Sequence, residues 1–239
     1  MVLKRRKHPV RKIFGLIAML FFFTAAAVAA IFYFRYADTL QGLYKEAEVF
    51  VKQSGKESFK LSQTSTVYAA DGSILSRLKG DKDTTYITYE DMPEYVCAAI
   101  ISIEDKRFFQ HDGVDYLALL RAVKALLETG ELSQGGSTIT MQLARNTFLN
   151  QSKNWQRKIQ EIFIAWKLEA RYDKEDILEF YLNNIYFGNG YYGIGAASRG
   201  YFNKSVNQLN LSQIAFLCAI PNNPTLYDPL TNMENTQAR

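Results

Sequence analysis

Beyond its first twelve residues this chain has no excess of positive charge: 22 basic residues face 24 acidic ones. The formal net charge of +4 comes from the N-terminus alone, so a nucleic-acid-binding face loses its usual electrostatic signature. Cysteine is scarce. Cys97 and Cys218 each lie in an apolar run, which makes two buried thiols the plain reading, and spacing alone gives no disulfide. Internal repeats are missing, and so are low-complexity tracts outside one apolar segment. Hydrophobic residues make up 48% of the chain and charged ones 22%, a globular balance rather than a disordered one.

What is present starts with that basic terminus. Lys4, Arg5, Arg6, Lys7, Arg11 and Lys12 precede residues 13–34, a stretch without a charge. At ~1.5 Å per residue a helix of that length spans a hydrocarbon core of about 30 Å. Basic residues before it predict a cytoplasmic tail over 1–12, a transmembrane helix over 13–34, and an extracytoplasmic location for everything from Arg35 onward. A cleaved signal peptide is the competing reading. The run is long for that, and aromatics follow its alanines as in an interfacial belt.

Residues 35–64 read as a polar stalk. Over 65–78, β-prone runs flank Asp71-Gly72, which predicts a hairpin, and 84–89 suits a further strand. From Pro93 the pattern turns helical. Asp115 can cap a helix over 116–128, with Leu117, Leu120, Val123 and Leu127 on one face and Gly130 past its end. That face suits either a core or a lobe dipping into a membrane surface. Further helices are expected over 137–148 and 154–172. Asp173 caps another, whose stripe holds Ile177, Leu178, Tyr181, Leu182 and Ile185. Asn210 and Gln213 form a capping box before a last apolar run. The class is mainly α with a small β hairpin.

The candidate chemistry lies between two carboxylates. Glu104 ends an apolar stretch and is followed by Asp105, Phe108, Phe109 and His111; Glu161 is the second acid. Between them stand Gly135, Gly136, Ser137, Thr138 and Thr140, where a helix start offers N–H groups to an anion. Arg145, Lys153, Arg157 and Lys158 follow. This set suits transfer from a phosphorylated donor. A base takes the acceptor's proton, and cations take up the charge growing on the departing phosphate. Each piece has a plainer reading. Arg157 and Lys158 stand four and three residues before Glu161, the spacing of a surface salt bridge. Glu104 and His111 can equally be structural.

In order and spacing these motifs resemble the peptidoglycan glycosyltransferase family, the lysozyme-like domain of class A penicillin-binding proteins and of monofunctional transglycosylases. Glu104-Asp105, Phe108, His111 and Gly113 match E-D-x-x-F-x-x-H-x-G. Residues 135–142 match G-G-S-T-I-T-Q-Q, with Met141 in place of the first glutamine. Arg157, Lys158 and Glu161 match R-K-x-x-E. Residues 174–183 match K-x-x-I-L-E-x-Y-L-N, and 188–204 match a glycine-rich element ending Y-F-x-K. Gln213 and Asn203 depart from the family's usual acid and glycine.

The resemblance implies a two-lobed lysozyme-like glycosyltransferase domain over 65–239, anchored by the transmembrane helix in the plasma (inner) membrane. It implies lipid II as acceptor, the nascent lipid-linked glycan as donor, a β-1,4 product formed with inversion, and other cell-wall synthesis proteins as partners. Glu104 would be the general base, held by its apolar approach and the phenylalanines in a partly dry cleft. Glu161 would position the donor pyrophosphate, directly, through Lys158 and Arg157, or through a divalent cation (Mg2+ or Mn2+). Arg145, Lys153, Lys158 and Arg239 are expected on phosphate, Ser137 and Gln142 on donor sugar or phosphate, and Asp105 beside Glu104 in its support. A glycan-cleaving lysozyme-like enzyme and a catalytically silent membrane scaffold are the alternatives. The string of cations counts against the first, because a neutral polysaccharide needs no pyrophosphate clamp. Ser76 and Lys79 fit S-x-x-K, but they fall in the expected hairpin and no K-T-G follows, so no transpeptidase is read here. A fragment of a bifunctional protein and a monofunctional form both fit the end at Arg239.

Overall fold

The structure, a computed structural model, describes residues 9–60, 65–78, 83–130, 135–150, 152 and 154–239. It divides into two compact units, residues 1–43 and Tyr44–Arg239. Helix α1 (Pro9–Gln53) opens the chain. From Phe14 it is long and apolar enough to cross a membrane, and the apolar window is unburied.

The second unit begins earlier than the sequence suggests. Of the stalk expected over 35–64, the described residues 35–60 are not free: Ala47, Val51 and Phe59 are buried in the main core. Phe59 stacks on Phe180 with ring centroids 4.2 Å apart and meets Tyr172 edge-on. The hairpin is present as β1 (Ser65–Tyr68) paired antiparallel with β2 (Ile74–Leu78), and Gly72 turns it at φ +81°. Lys79 lies outside the described residues.

The expected strand over 84–89 shrinks to β3 (Asp83–Thr84), paired in parallel with β4 (Tyr191–Tyr192). Side chains of α6 (Lys174–Asn184) replace the missing ladder. Asn183 accepts from the Ile87 N–H at 2.9 Å and donates to its carbonyl at 2.7 Å. Glu179 accepts from the Tyr86 hydroxyl and from the Tyr89 N–H. A loop whose backbone groups are met this way needs no strand partner.

Helix α2 (Glu94–Glu104) buries Val96, Cys97 and Ile100 and delivers Glu104 in its last turn. Helix α3 (Tyr116–Thr129) starts at Asp115, whose Oδ1 accepts the Ala118 N–H at 2.7 Å. Its apolar face is not core. Leu117, Leu120, Val123 and Leu127 are 53–82% exposed. Helix α4 (Ile139–Phe148) starts at Thr138, and α5 (Trp155–Glu169) at Asn154, each cap side chain accepting a backbone N–H of the first turn. Asp173 caps α6 by position, without a side-chain bond. Helix α7 (Ile194–Phe202) is the one the glycine-rich reading of 188–204 leaves out. Helix α8 (Leu211–Ala219) carries the Asn210–Gln213 capping box, and α9 (Met233–Ala238) ends beside Arg239. The architecture is mainly α with a small hairpin. α4 packs on α5 and α6, and α2 packs on α8.

Cys97 and Cys218 are both free and buried. Burial pushes their thiols up to about 11 and about 12, so both stay protonated and unreactive at neutral pH.

Gly113 locks the loop between α2 and α3 against α5. Its φ is +86°, and a Cβ there would lie 2.9 Å from the Ala165 carbonyl. Gly72 also has positive φ but open space around it. Gly113→Ala is expected to cost roughly 2–4 kcal/mol, strain and overpacking together, and Gly72→Ala about 1 kcal/mol from strain alone. Thermal melts of the two variants check this: equal losses would show that the Gly113 approach is not tight.

Candidate active site

The site is built around the first turn of α4. Asp105, one residue beyond α2, is buried and does not bond Glu104. Its Oδ2 accepts the Ile139 N–H at 3.0 Å, and both its oxygens lie 3.0 Å from His111 Nε2. A carboxylate at a helix N-terminus is favoured by the unsatisfied N–H groups and the helix dipole. Thr138 supplies the rest of the cap. Its Oγ1 accepts from the Met141 N–H at 3.1 Å and donates to the Gly113 carbonyl at 2.6 Å. The Thr138 carbonyl accepts from the Gln142 N–H. The expectation that this helix start binds a substrate anion therefore changes. Asp105 is the anion there, and the support expected of it beside Glu104 becomes that of an anchor for α4.

Glu104 is held from two sides. Gln142, in the second turn of α4, donates its Nε2 to Glu104 Oε2 at 2.9 Å. Arg239 Nη2 lies 3.5 Å from Glu104 Oε1. The Arg239 guanidinium also sits over the Tyr227 ring, 4.9 Å from its centroid. Two expectations shift. Gln142 is buried and spends its amide on Glu104 rather than on a donor sugar. Arg239 belongs to the Glu104 end of the site rather than to the other cations. A groove of about 540 Å³ opens beside it, lined by Ala99, Ile103, Phe216 and Ala219 among others.

The Glu104 side chain is only 6% exposed, and the two phenylalanines differ in their surroundings. Phe108 is buried under Lys174, whose ammonium lies 4.4 Å from the ring centroid, while Phe109 is 57% exposed. Lys174 also donates to the His111 carbonyl at 2.7 Å and to Glu169 at 2.8 Å. Glu169 in turn accepts from Thr140 Oγ1 at 2.6 Å. Arg107 binds Asp115, with Nε 2.9 Å from Oδ2, and holds that carboxyl below its usual range. So the loop from 105 to 115 is tied at both ends.

Glu161 is fully buried, which overturns the surface-salt-bridge reading. Lys158 Nζ donates to its Oε2 at 2.7 Å, and Arg157 Nε lies 3.1 Å from its Oε1. Lys158 also donates to Ser137 Oγ at 2.7 Å, just before the α4 cap. An ammonium has three donors, so one N–H remains for a further acceptor. Ser137 thus meets Lys158 rather than standing alone, and Arg145 is partly exposed on the third turn of α4. Lys153 lies outside the described residues.

A divalent cation does not fit Glu161. Both its oxygens already face cations, so as the side chains stand neither oxygen is open to Mg2+ or Mn2+. Among the described residues no group of three or more His, Cys, Asp or Glu side chains converges. As the side chains stand, Glu161 pairs with and orients Lys158 and Arg157.

One functional contact and part of the core escape sequence reading. Tyr181 belonged to a core stripe, yet its buried hydroxyl bonds Gln142. Ala47 and Val51 fall in the expected stalk and are core. Only the i, i+4 spacing of Ala47 and Val51 hinted at it.

Residues 71–239 match the family described as Transglycosylase. The chain is 39% identical over 193 residues to penicillin-binding protein 4 of Bacillus subtilis (strain 168), over 80% of this chain and 31% of that protein. It is 39% identical over 204 residues to penicillin-binding protein 1A of Escherichia coli (strain K12), over 85% and 24% of the two chains. To penicillin-binding protein 1A of Vibrio cholerae it is 42% identical over 173 residues, 72% of this chain and 21% of that one. It spans less than a third of the length of each. The matched stretch holds Glu104, the first turn of α4 and Glu161 with its cations, and the chain belongs to the transglycosylase family.

Proposed function

We propose that this chain is a peptidoglycan glycosyltransferase that polymerises lipid II into β-1,4 glycan strands and releases undecaprenyl pyrophosphate. One observation carries the reading. A carboxylate and a cation cluster are tied to the same helix start, Glu104 through Gln142 and Lys158 through Ser137. Base and phosphate-binding groups are thereby held in fixed relation, as an in-line transfer needs.

Glu104 takes the proton of the acceptor's 4-hydroxyl through Oε1, which Gln142 does not engage and Arg239 meets only at 3.5 Å. The acceptor oxygen attacks C1 of the donor's N-acetylmuramic acid from the face opposite the leaving group, which inverts the configuration. The C1–O bond breaks and its electron pair leaves on the pyrophosphate. Lys158, with one free N–H, takes up that charge together with Arg157 and Arg145. A pyrophosphate met by cations leaves without a dedicated general acid, unlike a sugar alkoxide.

The membrane belongs to the same reading. α1 anchors the chain with its basic end in the cytoplasm, and the site meets lipid-linked acceptor and donor at the outer surface of the plasma membrane. The exposed apolar face of α3 would rest in the interface there.

Two measurements test the proposal on the full chain. Glu104→Gln removes the base and should lower kcat for lipid II polymerisation by a factor of ~10³ or more with little change in KM. Lys158→Met should lower kcat/KM by roughly 10²-fold, since it removes a charge that meets the leaving group. A wild-type chain that releases soluble fragments from finished peptidoglycan and makes no polymer would overturn the reading. For α3, Leu127→Asp should leave the melting temperature unchanged but slow polymerisation several-fold in lipid vesicles and not in detergent. Equal slowing in both would remove the interfacial role.

A further inference from the structure

The mechanism above needs one oxygen of Glu104 held and the other turned to the acceptor; Oε2 is held by Gln142 at 2.9 Å, while Oε1 has the longer 3.5 Å contact to Arg239. Gln142 does the holding, so what fixes Gln142 matters. Its amide is a flat group with a donor end and an acceptor end of nearly equal size. The donor end faces Glu104 Oε2 at 2.9 Å. At the acceptor end stands Tyr181, from α6, whose hydroxyl donates to Gln142 Oε1 at 3.2 Å. Tyr181 is wholly buried, and the ring is packed in the main core.

We propose that Tyr181 is a positioning residue for the transfer reaction, acting through Gln142: its buried hydroxyl pins the Gln142 amide so that Nε2 holds Glu104 Oε2 and leaves Oε1 to the acceptor hydroxyl. The inference rests on Glu104 being the base. Three features support it. The phenol proton stays in place, because burial and the nearby Glu104 charge push Tyr181 well above the usual tyrosine range. The chain of bonds runs from α6 through α4 to α2, so three separate helices fix one carboxylate. Gln142 itself is buried, so solvent offers its amide little substitute for Tyr181. Without the Tyr181 hydroxyl the amide loses its anchor, its hold on Glu104 Oε2 loosens, and the carboxylate samples other rotamers.

Tyr181→Phe is the test, since the ring and its packing remain. In the full chain in detergent it should lower kcat about tenfold while KM changes less than twofold. The same substitution in a Gln142→Ala background should change kcat by less than twofold, because the group it acts through is gone. A purely structural role would give the same loss in both backgrounds, and an unchanged kcat in the single variant would equally overturn the proposal. A second readout does not depend on activity. The Gln142 side-chain amide protons, followed by proton–nitrogen NMR, should exchange slowly with solvent in the wild type and at least tenfold faster in Tyr181→Phe. If the wild type makes no polymer but this protection is lost, the hydrogen-bond chain stands and the functional reading fails. If protection is unchanged, the chain itself is refuted.

Discussion

One carboxylate in the wrong place for catalysis organises this protein. Asp105 turns away from its neighbour Glu104 and seats itself on the first N–H of α4, with His111 bonded to its other side. Because Asp105 follows the last residue of α2, that bond fixes the end of α2 against the start of α4. Everything proposed for the site follows from the joint. Gln142 can reach Glu104 because α4 is pinned there, and Ser137 can reach Lys158 because it precedes the same cap. The anchor is also well protected. Gly113 packs its backbone against Ala165, and Thr138 bonds the Gly113 carbonyl.

Charge is arranged with similar economy. A fully buried Glu161 would be costly alone, since an unpaired carboxylate loses its hydration. Arg157 and Lys158 compensate it, and the excess positive charge points toward the Ser137 turn. Breaking such a buried cluster by removing one partner is expensive, so the cations are held in place by the carboxylate they neutralise. The arrangement gathers positive charge beside the Ser137 turn.

Much of this was legible in the sequence, and the part that was not has a physical reason. Capping residues announce themselves locally: Asp115 and the Asn210–Gln213 pair cap where their spacing says. The two acids and the cations were likewise visible as types in order. Partner choice was not. Whether Asp105 supports Glu104 or caps α4 depends on a helix 34 residues away. Whether Gln142 meets a sugar, Glu104 or Tyr181 depends on how α2, α4 and α6 cross. The supposed strand at 84–89 failed for the same reason, since its backbone found side chains of α6 instead of a ladder. The stalk reading failed because Ala47, Val51 and Phe59 are too few and too spaced to outweigh the polar residues around them, yet they complete the core.

The account's central claim is geometric: the start of α4 stands between the base and the receptor for the leaving group. A crystal structure of the chain with a non-hydrolysable lipid-pyrophosphate disaccharide would test it most directly. The account predicts phosphate oxygens within hydrogen-bond reach of Lys158 Nζ near Ser137, and a sugar hydroxyl against Glu104 Oε1. A pyrophosphate bound elsewhere on the surface, with Lys158 and Glu104 both untouched, would contradict it.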